Sequence, residues 1–177
     1  MQRPRASTAS RSFAPSTLVS DLVAARIATD ADLDLLSDLA TAEAERTRPE
    51  RGGQWHLDHD HDRRVPAVVL ADRLHRPDGH VVVGTIDGTV VGYATAYLSP
   101  TVDGSLCMID ELVVHPEARA IGVGSEILAA VRTWAIEHQC QAIESQVLPG
   151  NRAAKNFFER VGMKTRKMRV SAQLDEG

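Results

Sequence analysis

The sequence predicts a mixed α/β fold, a mostly antiparallel central sheet with flanking helices, and three observations carry that prediction. Residues 80–115 hold long β-branched runs punctuated by Asp87-Gly88 and by the turn 100–104. After Pro116 the apolar residues change from alternating to helical spacing. A strand, a second helix and a further β-like stretch then close the chain, giving a β-meander followed by a βαβαβ order. A length of 177 residues suits one core. The expected organisation is a flexible tail at 1–20, rich in Arg and Ser with no acid, and a single domain at 21–177.

Each element has a local cause. Val23 to Ala28 reads as a first strand. Thr29 or Asp30 can N-cap a helix carrying Leu33, Leu36, Leu39 and Ala40, which runs to about Arg46 before Pro49 and Gly52-Gly53. A polar loop is expected up to Val65, then a short helix from Pro66 to Leu74, since proline lacks only an N–H that the first turn leaves unused. His80–Ile86 and Thr89–Leu98 flank an Asp-Gly hairpin, and Ser105–His115 forms a third strand. A helix is expected over 123–138, a strand over Gln141–Leu148, a helix over Asn151–Val161, and a last strand or bent pair over Met163–Leu174.

Composition narrows the function. The net charge of -4 argues against a nucleic-acid binder. No apolar run is long enough to span a membrane. Cys107 and Cys140 lack metal-ligand spacing and read as buried free thiols of a reducing compartment. Seventeen arginines against three lysines, with much Ala, Val and Asp, point to a GC-rich bacterial genome and a cytoplasmic protein.

The chemistry concentrates where a strand enters a helix. Val113-Val114-His115-Pro116 leads into Arg119-Ala120-Ile121-Gly122-Val123-Gly124-Ser125. The first amides of a helix have no internal partner, and the helix dipole adds positive charge, so this end is an anion site. Gly122 and Gly124 let an anion approach the backbone, and Arg119 can add a charged contact. The loop is not a Walker A motif, because no Gly-Lys-Ser/Thr follows. Nor is it the dinucleotide fingerprint, because Ile127 stands where the third glycine is needed.

R-x-x-G-x-G directly after V-V-H-P resembles motif A of the GNAT acyltransferases. Their second marker, an Asn opening the next helix followed by Ala, an aromatic pair and G-F, is matched by Asn151, Ala154, Phe157-Phe158 and Gly162-Met163. The resemblance covers about Val23 to Leu174 and implies a GNAT-like fold with splayed strands and acetyl-CoA as cofactor. By the same resemblance, the backbone of Leu112, Val113 and Val114 pairs with the pantetheine arm. The amides of Ala120, Ile121, Gly122, Val123, Gly124 and Ser125 take the pyrophosphate. Asn151, with Ala154 beside it, serves the arm, and Phe158 lies near the thioester.

The implied reaction is acetyl transfer to a primary amine of a small molecule. An alkyl ammonium must lose a proton first, and Asp110 and Glu111 are the candidate carboxylates. Plain alternation puts Asp110 on the face of Leu112 and Val114, whereas a β-bulge reverses the choice. Family members often carry Tyr where this chain has Phe158, so no general acid is evident there, and Tyr93 and Tyr97 are the available substitutes. The run His56, Asp58, His59, Asp60, His61 and Asp62 reads as a solvated loop rather than a metal site. The resemblance implies that this loop borders the acceptor site, where its acids would attract a cationic amine and Trp55 would form a wall. A protein lysine or N-terminal acetyltransferase and a non-catalytic acyl-CoA-binding module are the alternatives. A homodimer is possible.

Overall fold

The computed structural model describes residues 22–59 and 65–172. Five strands form one sheet in the order β1-β2-β3-β4-β5. They are β1 (Val23–Ile27), β2 (Gly79–Ile86), β3 (Thr89–Thr101), β4 (Gly104–Val114) and β5 (Ala142–Ser145). The first four are antiparallel neighbours, and β5 lies parallel to β4. The helices are α1 (Leu33–Thr47), α2 (Gly53–His59), α3 (Pro66–His75), α4 (Val123–Glu137) and α5 (Arg152–Arg160). The tail at 1–20 lies outside the described residues.

Two apolar clusters dress the two faces of the sheet. On one, Val82, Ala94, Ala96, Cys107 and Ile109 pack against Val123, Ile127, Leu128, Val131 and Trp134 of α4. On the other, Val81, Val83, Tyr93 and Val113 pack against Leu36 and Ala40 of α1 and Leu70 of α3. The alternation of Val81, Val82 and Val83 between clusters is the two-residue period of a strand buried on both sides. Gly84 permits the close seat of α4: a Cβ there would stand 2.7 Å from side-chain atoms of Val123 and Ile127.

At the N-terminal end, Asp32 anchors the turn into α1. Its carboxylate accepts both Arg26 guanidinium contacts at 2.8 Å, with the Thr29 amide and hydroxyl at 2.8 and 3.0 Å. These donors hold it well below the usual carboxylate range, the Arg26 hydrogen bond first among them.

Three expectations need correction. The stretch before Val65 contains α2, which begins when the Gly53 amide donates to Glu50 at 2.8 Å and the His56 amide to Gly52 at 2.9 Å. His56 and His59 are therefore helical, and Trp55 stacks on His59 with centroids 4.0 Å apart. The last strand is absent: residues 163–172 carry no regular structure, and Met168 and Val170 stand 88% and 92% exposed. Alternation there finds no sheet face to bury, and Gln173 and Leu174 lie outside the described residues. Finally β5 is shorter than expected, ending at Ser145 where β4 turns away.

His80 is buried on the α4 side, stacked on Trp134 with centroids 4.7 Å apart. Desolvation, and then the neighbouring His138, pull its imidazole down to about 4. The fold therefore prefers neutral His80. That contribution is complete above the unfolded value near ~6.5 and is lost as the pH falls through about 4. At about 1.4 kcal/mol per unit, the loss reaches ~3 kcal/mol at most. Thermal melts from pH 7 to pH 4.5 are expected to show a steeper decline for wild type than for His80→Phe, which keeps the stack and removes the titration.

Candidate active site

The site begins at a bulge. Thr95 pairs with Glu111 and Ala96 with Ile109, so Asp110 is the extra residue of β4. A bulge bends and twists the strand that carries it. On the outer side, β4 pairs with β5 only from Leu106↔Ala142 to Ile109↔Ser145. Beyond that point β4 continues to Val114 while Gln146–Leu148 leave the sheet. The strands part at Asp110, and Leu112, Val113 and Val114 present a backbone edge with no strand of the described residues beside it.

The bulge also decides which way the carboxylates face. Ile109, Leu112 and Val114 belong to the α4 side. Asp110 instead bonds Arg73 of α3, and Glu111 accepts from the Tyr93 hydroxyl at 2.6 Å, both on the opposite side. The expected sharing of a face by Asp110, Leu112 and Val114 is thus overturned, because one inserted residue breaks the two-residue period. Asp110 lies at the sheet surface, its carboxylate partly covered by Arg73. Desolvation raises its carboxyl above the ordinary value, opposed by the charges of Arg73 and Arg76 and by the Arg73 hydrogen bond. Tyr93 is fully buried and its hydroxyl is raised well above 10 by desolvation and by Glu111. Its proton is committed to Glu111, so it acts as a positioning group for that carboxylate.

At the end of β4, His115 caps a 3-10 turn over Pro116–Ala118. The chain then passes Ala120 at φ +66 and Gly122 at φ +107, the left-handed region that favours glycine at the second of these. Gly122 is the N-cap of α4, and its carbonyl accepts the Ser125 and Glu126 amides at 2.9 and 3.1 Å. A Cβ on Gly122 would meet nothing within 4 Å, so the loop fronts open space. Val123 is buried beneath it and anchors the first turn, while Ile121 is 41% exposed. A loop whose backbone fronts open space at a helix N-terminus fits a pyrophosphate.

Arg119 is placed differently from the simplest expectation. Its Nε donates to the Val114 carbonyl at 2.9 Å and its Nη2 lies 3.3 Å from Glu43 of α1. It thereby ties the loop to the end of β4 and to the opposite face. Glu43 also pairs with Arg46, which reaches Glu50.

The second motif closes the site from β5. The Asn151 side chain accepts the Ala154 amide at 2.9 Å, capping α5. Phe158 is buried and meets Phe157 edge-on at 5.3 Å. Phe157 in turn approaches α4, because a Cβ on Gly124 would lie 3.3 Å from its ring and 3.7 Å from Val114. Gly124, Val114 and Phe157 are therefore neighbours, and the two motifs meet across the gap between β4 and β5.

A strap crosses from the other face. The Gly150 amide donates to the Arg51 carbonyl at 3.0 Å, and a Cβ on Gly52 would stand 3.2 Å from Pro149. The turn between α1 and α2 is thus seated on the turn between β5 and α5. Sequence reasoning missed this contact, along with Arg73 and Glu43; Tyr97, named there as a substitute proton donor, instead lies with its ring 4.5 Å under the Arg73 guanidinium. No local pattern marks them. Cys107 and Cys140 are free thiols, and burial pushes Cys107 up to about 12, which makes it inert. Among the described residues no group of three or more His, Cys, Asp or Glu could hold a metal ion. Asp60, His61 and Asp62 lie outside those residues.

The comparisons agree with this geometry. The model of the acetyltransferase (GNAT) family matches residues 39–163, and the chain belongs to that family, whose cofactor is acetyl-CoA. A thialysine N-ε-acetyltransferase from Bos taurus is 32% identical over 74 residues, 41% of this chain and 44% of that protein. The match therefore spans less than half of that relative. A variant of a Bacillus halodurans protein superposes with a TM-score of 0.70 at 24% identity, covering 85% of this chain and 98% of that one. An aminoglycoside N-acetyltransferase solved with CoA superposes at 0.67 with 17% identity, over 86% and 94%. These two likenesses establish the fold, a five-stranded mixed sheet flanked by helices. No helix among the described residues is long and apolar enough to cross a membrane.

Proposed function

We propose that the chain is an acetyl-CoA-dependent N-acetyltransferase whose acceptor is a primary amine of a small molecule. The observation that carries this reading is the parting of β4 from β5 at Asp110, beside the open loop at the α4 N-terminus. Acetyl-CoA supplies an activated acetyl thioester. The amides of Ala120 to Ser125 hold its diphosphate, the outer edge of Leu112–Val114 aligns its arm, and Asn151 with Ala154 bounds the arm from α5. Phe158 bounds the acetyl end of the gap.

Asp110 is the carboxylate best placed to receive the amine. It stands where the strands part, it is open to an incoming amine, and desolvation raises its proton affinity. Glu111, held by Tyr93, fixes the bulge from below. Phe158 donates no proton, and a thiol with an ordinary value of about 8.5 leaves without one. The strap across the gap favours a small acceptor over a polypeptide laid along it. The names of the relatives, which act on thialysine and aminoglycosides, favour the same class.

The test is thiol release from acetyl-CoA by the full chain, offered simple amines, thialysine, an aminoglycoside and a lysine peptide. Release with one or more small amines, exceeding that with the peptide, is expected. Release with the peptide alone would move the protein to the lysine-acetylating class. Tight acetyl-CoA binding with no release in any arm would make it a non-catalytic binding module.

A further inference from the structure

Resting on that acetyl-transfer reading, we propose that the acceptor is a compact amino carboxylate, with Asp110 taking its ammonium and Arg73 its carboxylate. Arg73 is not part of either motif. It comes from α3, on the face opposite α4, and its guanidinium meets Asp110 at the point where β4 and β5 separate. Cofactor and acceptor thus approach Asp110 from different faces of the sheet.

Three features suit Arg73 to a carboxylate. Its plane lies over the Tyr97 ring at 4.5 Å, which holds the fork in place and leaves its edge available for planar recognition. Its pair with Asp110 is partly wet, with side chains 18% and 35% exposed, and such pairs open at little cost. The adjacent Arg76 is engaged twice by Asp78, at 2.9 and 2.7 Å, so it does not compete for the same ligand. Asp110 feels the charges of both arginines. A purely cationic amine meets repulsion there, whereas a zwitterion replaces one internal pair with two new ones.

The geometry also limits the length of the ligand. Arg73 and Asp110 touch, so the amine and carboxylate they recognise are separated by few bonds. In the transfer, one ammonium proton passes to Asp110. The nitrogen then forms the new C–N bond as the thioester C–S bond breaks. The second proton it releases reaches the departing thiolate through solvent, and Asp110 returns its own proton to solvent.

The experiment measures kcat/KM for glycine, β-alanine, γ-aminobutyrate, ε-aminocaproate and n-propylamine, on wild type, Arg73→Gln and Arg73→Lys. Acetyl-CoA binding is followed calorimetrically on each variant to confirm an intact fold. Wild type is expected to prefer the shorter amino carboxylates to n-propylamine. Arg73→Gln is expected to reduce that preference by about tenfold or more, the value of a charge-assisted bond, with Arg73→Lys between the two. An unchanged preference ratio in Arg73→Gln with intact cofactor binding, or a wild-type preference for the carboxyl-free amine, overturns the proposal and leaves acetyl transfer standing. No transfer to any amine overturns the small-amine reading and this proposal with it.

Discussion

Gly124→Glu is expected to abolish measurable acetyl-CoA binding. The new carboxylate would stand in the first turn of α4, where the amides following Gly122 are assigned to the cofactor's diphosphate. Like charges forced together at an interface cost several kcal/mol, so a loss of about a hundredfold or more in affinity follows. Crowding is a separate effect: a Cβ at this position stands 3.3 Å from the Phe157 ring. Gly124→Ala isolates it, and there the ring needs to yield by only a few tenths of an ångström. Titration calorimetry on wild type, Gly124→Ala and Gly124→Glu is expected to rank affinity in that order. Equal binding by Gly124→Glu and wild type, with both folded, would remove the loop from the cofactor site.

Asp110→Asn carries the second large effect. An amide cannot accept the ammonium proton, and loss of a positioned base costs about a hundredfold to ten-thousandfold. Acetyl-CoA binding should persist, because the loop lies at the other end of β4. In wild type the rate rises with pH as Asp110 ionises, at a pH above the ordinary carboxylate range because burial raises it. Asp110→Asn should lose that acidic limb. Glu111→Gln tests the alternative: its carboxylate accepts the buried Tyr93 hydroxyl, so the main expected cost is stability. A larger loss of kcat/KM in Glu111→Gln than in Asp110→Asn would reverse the assignment.

The parts of this site that were legible in the sequence are the local ones. Gly122 N-caps α4 and Asn151 caps α5, and spacing along the chain marks both helix starts. The hairpin at Asp87-Gly88 and the apolar stripe of α4 are equally self-contained. The side of the sheet occupied by Asp110 was not legible. It depends on a register shift against Thr95 and Ala96, and nothing near Asp110 announces that shift. Helix α2 was hidden because Gly53–His59 carries no apolar stripe. The alternation beyond Met163 suggested a strand that the structure does not form. Arg73, Tyr97 and Glu43 reach the site only after α1 and α3 fold back over the sheet, so their contribution belongs to tertiary structure.

The two faces of the sheet are furnished by different stretches of chain. The loop assigned to the cofactor and the helix behind it come from residues 115–137, whereas the opposite face is covered by α1 and α3, all before residue 76. One link between them is Arg119, which holds both the Val114 carbonyl and Glu43. Evolution can therefore rewrite the outward faces of α1 and α3 while leaving the α4 face in place. A duplicated copy would inherit its acyl donor and acquire a new acceptor through changes on the helices of the other face.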